Sequence, residues 1–167
     1  MTPPGPSTKS FPDENPHFEA RIPGIDYGVL DSLVGYALRR AQLNLYEDFI
    51  RSLAHWNITP PRFSALVVIA HNPDLKLTEL ARVLNVARSG AVTVVDALSE
   101  LGYVARHDSA TDKRAFRLLL TAKGKKALSA ITSAVQAHDK RIVSMLTSDE
   151  QAQLMALLGR MVGVESP

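Results

Sequence analysis

Residues 77–106 read LTELARVLNVARSGAVTVVDALSELGYVAR, and residues 107–124 continue as HDSATDKRAFRLLLTAKG. Leu77, Leu80, Val83 and Leu84 recur at three and four, the spacing of one helix face. Thr78 is expected to cap that helix, and Glu79 matches the positive end of its dipole. Asn85-Val86 reads as a turn. A second helix is predicted from about Arg88 to Leu101, burying Ala91, Val94, Val95 and Leu98 and closing on Gly102, the residue type that tolerates a left-handed cap. Val104 and Arg106, then Phe116, Leu118 and Leu120, alternate with the period of two of a hairpin, and the polar run HDSATDKRA between them is its tip. Two short helices, a tight turn and a ribbon with a charged tip predict a winged helix-turn-helix. The fold class expected is mainly α with a small β-wing.

Such a unit places its second helix in the DNA major groove, while a basic ribbon tip reaches phosphates or the minor groove. The outer residues at the start of that helix are Arg88, Ser89, Gly90, Val92 and Thr93. Arg88 reaches guanine or phosphate, Ser89 and Thr93 offer hydroxyls, and Val92 suits a thymine methyl. At the tip, Asp112 stands two residues before Arg114 and is placed to hold its guanidinium in a fixed direction.

The charge distribution points the same way. Among 167 residues the net charge is only +2, but residues 76–126 hold ten Lys/Arg against five acids, so this segment carries +5 and the remainder −3. A basic patch on an acidic body is the distribution of a DNA reader, whose phosphate contacts supply most of the affinity. There are no cysteines, which excludes disulfides, thiolate metal sites and thiol sensing. His17, His55, His71, His107 and His138 show no metal-ligand spacing, so neither a metal nor a cofactor is expected. The apolar runs are shorter than a membrane span and the N-terminus lacks a signal pattern, so no membrane partner and a cytoplasmic location are expected.

Residues 1–25, with Pro3, Pro4, Pro6, Pro12, Pro16 and Pro23 among polar residues, predict a disordered arm. Residues 26–167 are read as a single domain, with the DNA reader at 76–120. From Val29 to about Ala54, Leu30, Leu33, Val34, Ala37, Leu38, Ala41 and Leu45 predict a long first helix whose stripe drifts where Asn44 and Asp48 take over the early face. Pro60 and Pro61 open a second helix that ends before Asn72-Pro73. After the ribbon, Thr121 starts a long helix carrying Ala127, Leu128, Ile131, Ala134, Val135, Ile142 and Met145, and Thr147 with Glu150 forms a capping box for a last helix. These outer helices carry more apolar surface than one small body needs. Segments 29–54 and 122–163 are therefore expected to build a homodimer.

The string ARSGAVTVVDALSELGYVAR, with the later Asp-x-Arg and Leu-Thr-x-x-Gly, resembles the core of the MarR family of bacterial regulators from about Leu30 to Val162. The resemblance implies a homodimer of winged-helix subunits that binds palindromic double-stranded promoter DNA and is released by a small ligand. Residue by residue, it implies base or phosphate contact for Arg88 and Ser89, minor-groove contact for Arg114 with Asp112 as its orienter, and wing support from Arg106; Lys113, beside Arg114, is expected to add to the affinity. The sequence departs from the pattern twice: Ala87 stands where a capping Ser, Thr or Asp is usual, and Val92-Thr93 where Thr-Arg is common.

Tyr36 and Arg40 fall along one flank of the first helix, with His55, Trp56 and Arg62 after it. Aromatic rings beside cationic donors suit a planar aromatic acid, its ring buried and its carboxylate paired. Residues 36–42, YALRRAQ, also resemble repressors of aromatic-acid catabolism within the same family, some of which take free acids and some CoA thioesters. The function expected is a ligand-responsive repressor of such genes. The alternative is a winged-helix module used for protein contacts. No nucleophile triad, carboxylate pair or phosphate loop points to an enzyme.

Overall fold

The computed structural model describes residues 19, 21–108 and 116–164. The chain divides into two compact units, residues 1–44 and 45–167, with the boundary inside the first long helix.

In the first unit the expected start of that helix is replaced by a 3-10 turn, Gly28–Ser32, and α1 runs Val34–Leu53. Local polar contacts compete with the helix here. The Asp26 carboxylate accepts from the Gly28 N–H at 2.8 Å, and the Ser32 hydroxyl donates to the Val29 carbonyl at 2.8 Å. Leu33 is extended (φ −95°, ψ 117°), so the α-helical bonds begin only at its carbonyl, which accepts from the Ala37 N–H at 3.1 Å.

The second unit holds the core. After a turn closed by Asn57 in the left-handed region, α2 (Pro60–His71) starts on two prolines, which lack the N–H that a helix start leaves unpaired. Next come α3 (Leu77–Val83), α4 (Arg88–Glu100), the antiparallel strands β1 (Val104–Asp108) and β2 (Phe116–Leu120), α5 (Ala122–Ile142) and α6 (Ser148–Met161). The strands pair Val104 with Leu120 and Arg106 with Leu118. Phe49, Leu53, Ile58, Leu66, Ile69, Leu80, Val95, Leu98, Leu118 and Ile131 form one buried cluster drawn from α1, the connection before α2, α2, α3, α4, β2 and α5. Each such side chain removed from water contributes about 1.5–3 kcal/mol before chain entropy is counted. The winged helix-turn-helix and the mainly helical class expected from the sequence are what the chain adopts.

Three local expectations are corrected. Val83 is 57% exposed, because Ala81 takes the core side next to Leu80 and turns the face of the short α3 away from Val83. Lys76, and not Thr78, is the N-cap of α3, and its N–H is taken by the Glu79 carboxylate at 2.8 Å. Met145 falls beyond the end of α5 and is 92% exposed. The Thr147–Glu150 capping box of α6 is present, with mutual bonds of 2.8 Å and 3.3 Å. No side chain of α6 is buried, and Leu154, Met155, Leu157 and Met161 are all exposed on it.

Candidate nucleic-acid interface

The reader is set by two helix ends of the same design. At the end of α3, Asn85 takes φ +52°, its N–H bonds the Arg82 carbonyl at 3.1 Å, and the Val86 N–H bonds the Ala81 carbonyl at 3.0 Å. At the end of α4, Gly102 takes φ +71°, with Gly102 N–H to Ser99 at 2.9 Å and Tyr103 N–H to Leu98 at 2.9 Å. Both are Schellman closures, which satisfy carbonyls that a helix end leaves open and redirect the chain sharply. The first makes the turn between α3 and α4. Gly90 then lies against it, since a Cβ at that position would come within 3.2 Å of the Val86 Cβ.

At the start of α4, Arg88, Ser89 and Thr93 are exposed, and Gly90 and Val92 are half-buried. The N-cap Ala87 offers no side-chain acceptor, so no side-chain cap occupies the first N–H groups of α4. The Thr93 hydroxyl donates to the Ser89 carbonyl at 3.1 Å. With its hydrogen committed, that hydroxyl faces outward as an acceptor only.

The ribbon is anchored by two ion pairs. Arg106 of β1 donates to Asp96 of α4, and Arg117 of β2 donates to Asp74 in the α2–α3 connection. Arg106, expected as a wing support, thus ties β1 to α4. Asp112, Lys113 and Arg114 lie outside the described residues.

Where the ribbon returns to α5, the contacts are dense. The Thr121 hydroxyl accepts from the Gly124 N–H at 2.9 Å, capping α5, and donates to the Gly102 carbonyl at 2.7 Å. The Thr121 N–H bonds the Tyr103 carbonyl at 3.0 Å. Gly124 is buried with no room for a Cβ, which would collide with that same Tyr103 carbonyl.

A polar cluster that sequence reasoning missed joins residues 48–52 of α1 to α5. Asp48 accepts from Arg51 at 2.8 Å, from the buried His138 ring at 2.7 Å and from Arg141 at 2.8 Å, and Arg141 also reaches the Ser52 hydroxyl at 2.7 Å. Burial by itself would raise the Asp48 pKa, but the hydrogen bonds from Arg51, His138 and Arg141 outweigh it and hold the carboxyl well below the ordinary carboxylate range. The Phe49 ring meets His138 edge-on at 5.4 Å. A signal was present: His138 stands seven residues after the buried Ile131 and so shares its helix stripe, and Asp48 interrupts an apolar face.

This architecture matches known proteins. The model of the MarR family matches residues 56–115. A putative transcriptional regulatory protein for the hcr operon of Thauera aromatica is 35% identical over 141 residues, 84% of this chain and 85% of that protein. The chain belongs to the MarR family. It is thus a DNA-binding transcriptional regulator, in a family of regulators and not of enzymes. Among solved MarR-type structures, the transcriptional repressor CouR bound to a 23-mer DNA duplex is 35% identical with a TM-score of 0.79, covering 83% of this chain and 98% of that one. CouR bound to p-coumaroyl-CoA is 34% identical with a TM-score of 0.76, covering 83% and 97%.

The effector residues expected from the sequence for this MarR-type regulator gather in two places. In the first unit Tyr36 and Arg40 surround Tyr27: the Arg40 guanidinium lies 5.7 Å from the Tyr27 ring and 5.6 Å from the Tyr36 ring, and Arg21 lies 5.2 Å from Tyr27. Arg21 and Tyr27 were not anticipated. In the second unit the His55 and Trp56 rings meet edge-on at 5.2 Å, and Arg62 donates to the Asn57 carbonyl at 2.7 Å and side-chain oxygen at 3.1 Å. Arg62 thereby caps the left-handed turn before α2. No helix among the described residues is long and apolar enough to cross a membrane.

Proposed function

We propose that this protein is a dimeric repressor of genes for aromatic-acid breakdown, released from its promoter by an aromatic acid or its CoA thioester. The observation that carries the reading is the exposed Arg88, Ser89 and Thr93 at the uncapped start of α4, beside a ribbon tied to that helix by Arg106 and Asp96. Arg88 and Ser89 are the base and phosphate contacts, and the Thr93 acceptor suits an exocyclic amine of adenine or cytosine. Arg114, oriented by Asp112, and Lys113 supply the minor-groove and phosphate contacts of the wing. The exposed apolar side chains of α6 are a surface that a second copy covers, and those of Val29, Leu30, Leu33 and Val34 in the first unit are another. Two copies bring two recognition helices to half-sites roughly 34–36 Å apart on a palindromic operator.

For the ligand, Tyr27, Tyr36 and Arg40 offer rings beside a cation, and His55 and Trp56 offer a second aromatic pair. The capture of the similar CouR with DNA and with p-coumaroyl-CoA supports this choice of effector class. Ligand binding that alters the spacing of the readers needs a coupling of only about 1–3 kcal/mol to lower occupancy roughly 5–150-fold.

The test is a thermal-shift screen of the full chain against phenolic acids and their CoA thioesters, followed by release from its own upstream DNA. A ligand at a hundred times its Kd stabilises the native state by about 2.7 kcal/mol, and the same compound is expected to dissociate the DNA complex. If no member of either class shifts the melting temperature, the effector assignment fails. If binding occurs without release, the regulatory one fails.

A further inference from the structure

We infer that Thr121 is a positioning residue for DNA reading, whose hydroxyl sets the angle between the recognition helix and the helix that leads to the dimer contact. The inference rests on the paired reading of DNA proposed above. One side chain touches both helices. Its oxygen accepts one of the free N–H groups in the first turn of α5, that of Gly124, and its hydrogen goes to the carbonyl of Gly102, the left-handed residue that ends α4. The backbone repeats the link: the Thr121 N–H bonds the Tyr103 carbonyl, and Gly124 brings the first turn of α5 so close to that carbonyl that no side chain fits. Lys123 closes the far side, its ammonium 5.5 Å from the centre of the Tyr103 ring and its stem 3.6 Å from where a Gly102 Cβ would stand.

These contacts differ from ordinary capping. A helix cap requires only the bond to Gly124. The second bond, from the hydroxyl hydrogen to Gly102, adds nothing to α5 and instead ties its start to the end of α4, nineteen residues earlier in the chain. Both bonds are part-buried, so the alternatives for the Gly102 carbonyl are few. With α4 and α5 fused at one point, two readers joined through the distal parts of α5 and α6 hold a defined separation, and a rotation of α5 is delivered to α4 undiminished. Without the fusion each reader still recognises its half-site but the pair no longer measures the distance between half-sites.

The experiment selects binding sequences for the full chain from a randomised 40-base-pair duplex library, for wild type, Thr121→Val and Thr121→Ser, with thermal melting as the check on folding. Wild type is expected to enrich paired half-sites at one sharp spacing. Thr121→Val is expected to enrich the same half-site at relaxed spacings and to bind the wild-type duplex roughly tenfold more weakly, the scale set by one or two buried hydrogen bonds. Thr121→Ser keeps both bonds and is expected to restore the sharp spacing. Should Thr121→Val fail to fold, Thr121→Asp, which keeps an acceptor for the Gly124 N–H but has no hydrogen for the Gly102 carbonyl, takes its place with the same expected relaxation. A folded Thr121→Val with wild-type affinity and spacing overturns the inference alone. Enrichment of unpaired half-sites by wild type overturns the paired reading and this inference with it.

Discussion

Arg106 donates to Asp96 across the junction of wing and recognition helix. Asp96 stands seven residues after Ser89, nearly two turns of helix, and so lies on the stripe that Ser89 begins and that includes the exposed Thr93. If α4 reads DNA as proposed, a bare carboxylate on that stripe adds a negative charge close to the phosphates of the duplex. Arg106 neutralises it and in the same bond fixes the direction of the ribbon.

Arg106→Ala is therefore expected to weaken DNA binding at least fivefold while costing little stability, because both partners are partly exposed, at 39% and 49%, and such pairs contribute about 0.2–1 kcal/mol. Removing both charges in Arg106→Ala/Asp96→Ala is expected to recover part of the affinity. Fluorescence anisotropy on a labelled operator duplex, with urea melts of the same variants, separates the two effects; equal affinity for wild type and Arg106→Ala would exclude the masking role.

Replacing Arg114 by Ala removes one proposed phosphate or minor-groove contact. The plot of log affinity against log salt is expected to become shallower by about 0.9 for each lost phosphate contact in each subunit. Titrations at several salt concentrations measure the slope directly, and an unchanged slope would place Arg114 away from the DNA.

Asp48 makes stability depend on acid. Its native pKa lies below the ordinary value of 3.8, so its contribution is complete well above that value and is lost as pH falls through it towards the lowered one. Asp48→Asn is expected to destabilise the protein by about 1–3 kcal/mol at pH 7, the cost of depriving the buried His138 ring of its carboxylate partner and of losing the pairs with Arg51 and Arg141. The gap between variant and wild type narrows below about pH 4. Denaturant melts at pH 7, 5 and 3.5 check this; a gap that is constant or widens towards acid contradicts the assignment.

Ala87→Ser supplies the missing acceptor at the start of α4. Stability is expected to rise by about 0.5–1 kcal/mol, as for other N-caps. Affinity for DNA is not expected to rise with it, since the new hydroxyl competes with a phosphate for the same N–H groups. Thermal melting paired with anisotropy tests both halves; tighter binding in step with stability would mean those N–H groups play no part in the contact.

The helix-turn-helix, the ribbon and the start of α6 were legible in the sequence because their causes are local. Gly102 permits a left-handed closure wherever it occurs, Thr147 and Glu150 cap each other within one turn, and the alternation of Leu118 and Leu120 is visible without a partner strand. The same local rules misplaced Val83 and Thr78. Both errors come from α3, a helix of seven residues, too short for periodicity to define its inner face.

The candidate site was legible in part. The exposure of Arg88, Ser89 and Thr93 followed from their place at the start of α4, but nothing in the sequence indicated that the Thr93 hydrogen is spent on Ser89 or that Arg62 is engaged at Asn57. Those bonds depend on rotamers that the surrounding backbone selects.

What the sequence by itself determined about this protein is the order and kind of its elements and the residues presented at the start of its reading helix, because turns, caps and periods are settled by neighbours in the chain. Tertiary structure alone decided that Asp48 meets His138 and Arg141 across some ninety residues, that Arg106 grips Asp96, and that Thr121 joins α4 to α5. Partners of that kind are chosen by packing: once burial fixes which faces meet, each polar group left inside must bond whatever the fold has brought within reach.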